Sequence, residues 1–118
     1  MDTLKTVDKI CKKYGLYKKS GLHVNTIYYM IRPEFTHFVV KTYSNIQCDK
    51  LCYFVEYAYY EGGFLNEKNE YVSPTVYDIN LSDKNWKNTL GFNIECIQEN
   101  YKKMLFEKKL AAMKKDFE

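Results

Sequence analysis

The residues of this chain with the most distinctive chemistry are two histidines and two cysteines, which together could bind zinc. His23 and His37 come first and are 14 residues apart, and Cys48 and Cys52 follow. Zinc modules instead present their ligands in tight pairs on short loops. The spacing therefore does not favour a metal site. We expect all four cysteines of the chain to be reduced thiols and no cofactor to be bound, as is usual in a reducing cytosol.

Other catalytic patterns are also weak. A cysteine and a histidine could form a nucleophile and its base, but no local motif supports such a pair. Gly62 and Gly63 do not predict a phosphate-binding loop, because neither a Lys-Ser/Thr pair nor a helix start follows them. The carboxylates show no spacing that singles out a general acid and a general base. We therefore predict a protein without enzymatic activity.

The composition is that of one globular domain over residues 1–118. Hydrophobic residues make up 46% of the chain and charged residues 28%, which is enough apolar material for a core. Lysine, asparagine, tyrosine and isoleucine are plentiful, whereas Arg32 is the only arginine. The abundant residues have AT-rich codons, which indicates a low-GC bacterium, its phage or another mobile element. The sequence shows neither a signal-peptide pattern nor a bilayer-spanning apolar run, so we expect a cytoplasmic protein in a bacterial cell or an infected host cell.

Residues 81–118 are the strongest element of the sequence, and they predict one long helix or two helices in tandem. Ser82 is predicted to cap the start, because a serine hydroxyl can accept a hydrogen bond from an unpaired N–H of the first turn. Leu81 and Trp86 have the spacing of a hydrophobic staple at that start. Gly91 is costly inside a helix, so it predicts a kink or a boundary between two helices.

This predicted helix carries two apolar stripes that point in different directions, the second turned by roughly 140° from the first at about 100° per residue. We expect the sheet to take the first stripe. The second stripe is covered by the N-terminal helix, or it meets another chain, or it is a frayed tail without use. We predict an interface, because soluble monomers avoid a row of exposed large apolar side chains. The first stripe is Leu90, Ile94, Ile97, Tyr101 and Met104, and the second is Phe106, Leu110, Met113 and Phe117.

The chain before this helix predicts one further helix and a largely antiparallel sheet of four or five strands. Residues 3–14 have the apolar spacing of a helix, which Gly15 ends, and residues 17–21 are a basic connector. Residues 51–60 fit a strand or a helix, and we favour the strand because aromatic residues are frequent there and two glycines end the segment. The fold class is therefore α+β, with helices on a sheet. The other predicted strands are residues 23–32, 36–43 and 75–81, with a polar-tipped hairpin over 64–72.

Charge is segregated along the chain. Residues 1–20 carry six lysines against two aspartates, and residues 99–118 carry six lysines against four acids. Residues 45–83, in contrast, carry seven acids against two lysines. Basic ends and an acidic middle predict a dipolar surface, which affects the choice of partner and the encounter rate.

The function we predict is non-catalytic binding to another protein. If the acids of the middle segment line one side of the sheet, they could dock on the basic groove of a nucleic-acid enzyme. A small phage or mobile-element inhibitor of a host defence nuclease would act in this way. The second stripe would then serve a homo-oligomer or the partner. The predicted partner-binding residues are Glu56, Glu61, Glu67, Glu70, Asp78, Tyr57 and Tyr59.

The alternative is direct nucleic-acid binding by the lysine doublets that recur in both basic ends. Tyrosines could stack on bases. Arginine, which reads guanine and binds phosphate with two hydrogen bonds, is nearly absent. The tyrosine-rich segment is also the acidic one, so stacking groups and positive charge do not coincide in the sequence. We therefore favour a protein partner.

Overall fold

A computed structural model describes residues 3–21 and 25–116 of the chain. It confirms the α+β architecture, with an N-terminal helix, a five-stranded antiparallel sheet and a long C-terminal helix. The elements are α1 (Thr3–Lys13), β1 (Tyr17–Ser20), β2 (Ile27–Met30), β3 (Val40–Gln47), β4 (Lys50–Tyr59), β5 (Thr75–Asp78) and α2 (Trp86–Asp116).

The sheet is a simple meander, in which each strand pairs antiparallel with the next one in the chain. The ambiguous segment 51–60 is strand β4, as favoured from its composition. Strands β3 and β4 have 8 and 10 residues, whereas β1, β2 and β5 have 4 each. The turn between the two long strands is Cys48-Asp49, with φ of 50° and 61°. Two successive positive φ values are those of a type I′ hairpin turn, which matches the twist of paired strands.

Both helices pack on the same face of the sheet. Strand alternation places Tyr29 and Val55 on that face, where each is 1% exposed. From α2, Leu90, Ile94 and Ile97 are at most 1% exposed, so the first predicted stripe is indeed the core face of the helix. Together with the buried side chains of α1, these residues belong to one continuous hydrophobic core.

Asp8 ties α1 to the sheet. Its carboxylate accepts a hydrogen bond from the Tyr29 hydroxyl at 3.0 Å and pairs with Lys12 at 2.9 Å and Lys18 at 3.3 Å. Burial alone would raise the pKa of Asp8, but the hydrogen bonds from Lys12, Tyr29 and Lys18 together lower the pKa below its usual value. The carboxylate therefore stays ionised and joins three elements.

Residues 17–20 are strand β1, so the prediction of a basic connector is wrong. Lys18 lies opposite Tyr29 and Lys19 lies opposite Tyr28 in the ladder with β2. All four residues of the strand are exposed, because it lies at the edge of the sheet. Lysines are well suited to an edge strand, where they discourage pairing with other chains. The strand was not predicted because its sequence is polar and lacks apolar alternation.

The start of α2 also differs from the prediction. Ser82 is not its cap, because the helix begins at Trp86. The Asn80 side-chain oxygen accepts the Ser82 N–H at 3.0 Å, and the Asp83 carboxylate accepts the Asn85 N–H at 2.9 Å. These side-chain hydrogen bonds favour turns over helix for the residues before Trp86.

Gly91 marks no boundary between two helices, since α2 runs as one helix of 31 residues. A Cβ atom at this position would lie 3.0 Å from the Tyr14 hydroxyl oxygen. Tyr14 closes the joint between the helices, because its hydroxyl donates to Glu95 at 3.1 Å and its carbonyl accepts from the Gln98 amide at 2.6 Å. The glycine therefore makes room for Tyr14.

The predicted strands at residues 23–32 and 36–43 are shorter or shifted in the structure. The first is described from residue 25 onward and forms β2, and the second begins only at Val40. The predicted hairpin over residues 64–72 is present in a short form. Leu65 and Tyr71 form an antiparallel bridge, and on either side of it the Val72 N–H donates to the Phe64 carbonyl and the Asn66 N–H to the Glu70 carbonyl, each at 2.9 Å. Aromatic packing accompanies this pairing. Phe35 contacts Phe64, Tyr71 and Tyr101 with ring centroids 5.7–5.8 Å apart.

We predict that Trp86 anchors the junction between sheet and helix. The side chain is only 6% exposed, so Trp86→Ala should lower the free energy of unfolding by about 3–5 kcal/mol. Phe92→Ala on the same helix is the matched control, because Phe92 is 65% exposed and should cost less than about 1 kcal/mol. Urea denaturation followed by circular dichroism measures both values. Equal losses for the two variants would contradict the assignment.

We predict different costs for alanine at the two glycines that follow β4. Both have positive φ, 74° at Gly62 and 96° at Gly63, so each alanine should cost about 1–2 kcal/mol from backbone strain. Only at Gly63 would the added Cβ also meet Met104, with its Cβ at 2.7 Å. Gly63→Ala should therefore be the more destabilising variant by about 1–3 kcal/mol in urea denaturation. A smaller loss of unfolding free energy for Gly63→Ala than for Gly62→Ala would show that Met104 does not pack closely against Gly63.

Candidate partner-binding surfaces

The face of the sheet opposite the helices carries a row of four residues, one from each of four neighbouring strands. Tyr28 pairs with Lys41, Lys41 with Glu56, and Glu56 with Asp78. We call this face, centred on the row, the open sheet face. The Lys41 ammonium lies 3.9 Å from the Glu56 carboxylate and 5.9 Å from the centroid of the Tyr28 ring. A lysine, two carboxylates and an aromatic ring therefore lie side by side on one face of the sheet.

Glu56 and Asp78 form a carboxylate pair in this row. Partial burial raises the pKa of Glu56 above its ordinary value, and the hydrogen bond shared with Asp78 raises it further. Lys41 and the Tyr43 hydroxyl act in the opposite direction. Glu56 therefore binds a proton more readily than an isolated glutamate.

Beyond the row, β3 and β4 continue as a two-stranded ribbon. Tyr43 and Phe54 form the next cross-strand pair on the open sheet face, with the centroids of their stacked rings 5.0 Å apart. Outward from this pair, the described residues of β2 and β5 provide no further ladder partner. Ile46 and Leu51 face each other near the tip, on the side of the ribbon opposite Tyr43 and Phe54, and are 70% and 57% exposed. We call residues 43–54 the projecting ribbon.

The structure separates the seven predicted partner-binding residues into three groups. Glu56 and Asp78 lie on the open sheet face. Tyr57 and Tyr59 lie on the helix face, because side chains alternate along β4. Tyr57 stacks on Tyr77 with centroids 5.3 Å apart, and the Tyr59 hydroxyl accepts a hydrogen bond from Asn100 at 2.8 Å.

The other three predicted acids, Glu61, Glu67 and Glu70, are exposed on the connection between β4 and β5. The same connection contacts α2 near Lys108, whose ammonium donates to the Asn66 carbonyl at 2.7 Å. The expectation that the acidic middle lines one side of the sheet is therefore not met. Acids adjacent in sequence are divided between a sheet face and a loop.

The sequence analysis missed the residues that accompany Glu56 on the open sheet face and along the ribbon. The signal that could have found them is the turn at Cys48-Asp49. Pairing the residues on either side of that turn aligns Ile46 with Leu51, Tyr43 with Phe54, and Lys41 with Glu56. Without a recognised turn, no register could be assigned. The missed residues are Tyr28, Lys41, Tyr43, Phe54, Ile46 and Leu51.

The second predicted stripe is exposed. Phe106, Leu110 and Met113 are 61%, 47% and 50% exposed, and Phe117 lies outside the described residues. The option that α1 covers the stripe is wrong for the described positions. The chain at the end of α1 contacts α2 about two and a half to three and a half turns after Trp86, where Tyr14 reaches Glu95 and Gln98. The stripe begins at Phe106, which lies further along α2 than the residues that contact Tyr14.

Several lysines and aromatic rings lie together at a shallow cavity of about 500 Å³ between α1 and α2. Lys9, Lys13 and Lys87 line it together with Phe92 and Tyr14. The Lys13 ammonium lies 5.7 Å from the centroid of the Tyr14 ring. This groove between the helices is a surface on which the predicted nucleic-acid alternative could act.

The cysteines and histidines are dispersed. Burial raises the pKa of the Cys11 thiol, and the charge of Asp8 adds to this effect, so the thiol is unreactive. Cys48 is exposed in the turn, and His37 stacks on Tyr71 with centroids 4.0 Å apart. Within residues 3–21 and 25–116, no three His, Cys, Asp or Glu side chains are grouped closely enough to hold a metal ion. His23 lies outside the described residues.

Comparison with family models, curated proteins and solved structures found no match to this chain. Among the described helices, none combines the length and apolar character needed to cross a lipid bilayer.

We predict that Glu56 makes folding depend on pH in a specific direction. Its pKa is raised in the folded state, so the folded protein binds a proton more readily than the unfolded chain. The resulting cost is fully present above the raised pKa and disappears as the pH falls towards the ordinary glutamate value. Wild-type protein should therefore gain stability relative to Glu56→Gln as the pH is lowered from neutral through this window.

The measurement is urea denaturation of both proteins at a series of pH values. Glu67→Gln is the control for the loss of one negative charge, because Glu67 is exposed on the connection after β4. A stability difference between wild type and Glu56→Gln that does not change with pH would contradict the proton-sharing pair.

Proposed function

We propose that this protein is a non-catalytic protein-binding module, and that its partner contacts the projecting ribbon and the adjoining open sheet face. The observation that carries this proposal is the ribbon. Among the described residues, its two strands extend beyond their neighbours, and they present Ile46 and Leu51, two large apolar side chains exposed by more than half, on the side opposite Tyr43 and Phe54. Apolar side chains at an exposed tip favour burial against another molecule.

The composition of this surface supports a protein partner. Aromatic residues are enriched at protein interfaces, because they bury a large area at a small entropic cost. Tyr28, Tyr43 and Phe54 provide such area, and the stacked pair at the base of the ribbon holds two of these rings in place. The exposed backbone edges of the ribbon could also pair with a strand of the partner.

The carboxylate pair supports a finer form of the proposal. Glu56 and Asp78 place two acids beside the aromatic rings, so a basic groove would complement the open sheet face. A small inhibitor that occupies the nucleic-acid groove of a host defence nuclease fits this arrangement. The low-GC residue bias and the length of 118 residues agree with a phage or mobile-element origin.

A second candidate function rests on the groove between the helices. Lys9, Lys13 and Lys87 beside Phe92 could bind the phosphates and stack on a base of single-stranded nucleic acid. Its test is the salt dependence of binding to a labelled single-stranded oligonucleotide. Lys9→Gln with Lys13→Gln should weaken that binding, whereas changes in the ribbon should not.

The protein-binding proposal is tested by changing the ribbon tip. We predict that Ile46→Ser with Leu51→Ser removes a partner captured from a low-GC bacterial lysate, with at least a tenfold loss of bound protein. Both side chains are exposed, so the variant should melt within a few degrees of wild type. Capture is quantified by mass spectrometry after nuclease treatment, so that proteins bridged by nucleic acid are removed.

Phe92→Ser is the matched control, because it removes an exposed aromatic ring that lines the groove between the helices and is no part of the ribbon. The proposal expects the control to retain the nuclease-resistant partner that the tip variant loses. Equal capture by wild type and the tip variant would contradict the role of the ribbon. Capture that disappears with nuclease would favour the nucleic-acid alternative.

A further inference from the structure

The last turns of α2 extend past the rest of the molecule. Met104 is the last buried residue of the helix, and its sulfur accepts the Leu65 N–H at 3.3 Å. Lys108 makes the next contact, with its ammonium 2.8 Å from the Asn69 side chain. Ala111 still lines a cavity with the connection after β4. At about 1.5 Å per residue, the five residues from 112 to 116 continue for roughly 8 Å beyond it. We call residues 105–116 the tail of α2.

The apolar residues of the tail lie on the side of the helix that faces away from the molecule. Met113 follows Met104 by nine residues, which at about 100° per residue turns it roughly 180° from the buried side. Phe106 and Leu110 lie within about 60° of Met113 on the helical wheel. All three are exposed by about half or more. The residues that the structure describes in one copy therefore leave them uncovered.

The spacing of the stripe is that of a coiled-coil seam. Phe106 and Met113 occupy d positions and Leu110 the a position between them, so Glu107 and Lys114 fall at e and Lys109 at g. The preceding seam positions hold Lys103 and Glu99. The apolar seam is thus confined to the tail, and charged residues end it where the body of the molecule begins.

We propose that two copies of this chain associate through their tails, packed antiparallel with Leu110 of one copy against Met113 of the other. The flanking charges favour this orientation. Antiparallel helices bring e positions together, which places Glu107 opposite Lys114 of the second copy, twice in the dimer. Parallel helices would bring g opposite e and place Lys109 against Lys114, a repulsion. Charges at these positions set the orientation of paired helices.

The shape of the molecule permits this pairing. The seam faces away from the side of α2 that packs on the body, and the tail extends beyond the body. In the antiparallel arrangement, with Leu110 opposite Met113, position 116 of one tail lies opposite position 107 of the other, short of the Met104 contact. The two bodies therefore lie at opposite ends of the paired tails. The overlap is about three turns, so the dimer should be weak and depend on protein concentration.

The first test is sedimentation velocity over a concentration series from about 10 µM to about 1 mM. Wild-type protein should shift from monomer to dimer, and Leu110→Glu should remain monomeric with an unchanged thermal melt. Leu105→Glu is the matched control, because Leu105 is a 43% exposed leucine of the same tail that lies off the seam. The control should dimerise like wild type. A wild-type monomer at every concentration would overturn the proposal, as would a dimer that tolerates Leu110→Glu.

The second test is charge reversal, which reports the orientation. Glu107→Lys and Lys114→Glu should each weaken the dimer by about tenfold, because each turns two attractions into repulsions. The double variant should restore wild-type dimerisation. Parallel tails predict a tighter dimer for Lys114→Glu, since the change would relieve the repulsion from Lys109. A tighter Lys114→Glu dimer, or a double variant without recovery, would overturn the antiparallel arrangement.

Discussion

The burial of Leu90, Ile94 and Ile97 between α1 and the sheet is the contact on which the rest of the structure depends. These three side chains are at most 1% exposed, and fully burying each stabilises the fold by about 1.5–3 kcal/mol. An isolated helix of the length of α1, 11 residues, is marginal in water, so its persistence depends on this packing. Because both helices pack on one face, the middle of the opposite face is left to the charged and aromatic row of Tyr28, Lys41, Glu56 and Asp78.

Most of the architecture could be predicted from hydrophobic spacing, because the helices and the long strands bury one regular side. The errors occur where side-chain hydrogen bonds or edge position replace burial as the deciding factor. Asn80 and Asp83 hold a turn where serine alone predicted a helix start. The lysines of β1 gave no apolar alternation, since an edge strand on the surface needs none. At Gly91, what mattered was the distant Tyr14, which no local pattern reveals.

The candidate site was less accessible from sequence, because a surface is defined by register and not by proximity along the chain. Glu56 and Tyr57 are adjacent residues, yet one faces the open sheet face and the other the helices. Lys41 became the partner of Glu56 only through pairing around the Cys48-Asp49 turn. The exposed C-terminal stripe, in contrast, was visible in the sequence, since helical spacing fixes which residues share a face without knowledge of any partner.

The two apolar surfaces lie at opposite ends of the molecule, and this separation has a consequence for binding. The chain is 64 Å long but only 29 Å by 21 Å across. Helix α2 starts beside Tyr57 and runs away from the ribbon, past Tyr59 and then Asn66, so its tail ends at the far side. A dimer formed through the tails would leave both ribbons free and far apart. Each dimer would then bind two partners, and a partner that is itself paired would gain affinity from the second contact. Because the two surfaces share no residues, changes in one should leave binding through the other unaltered, and their effects should add.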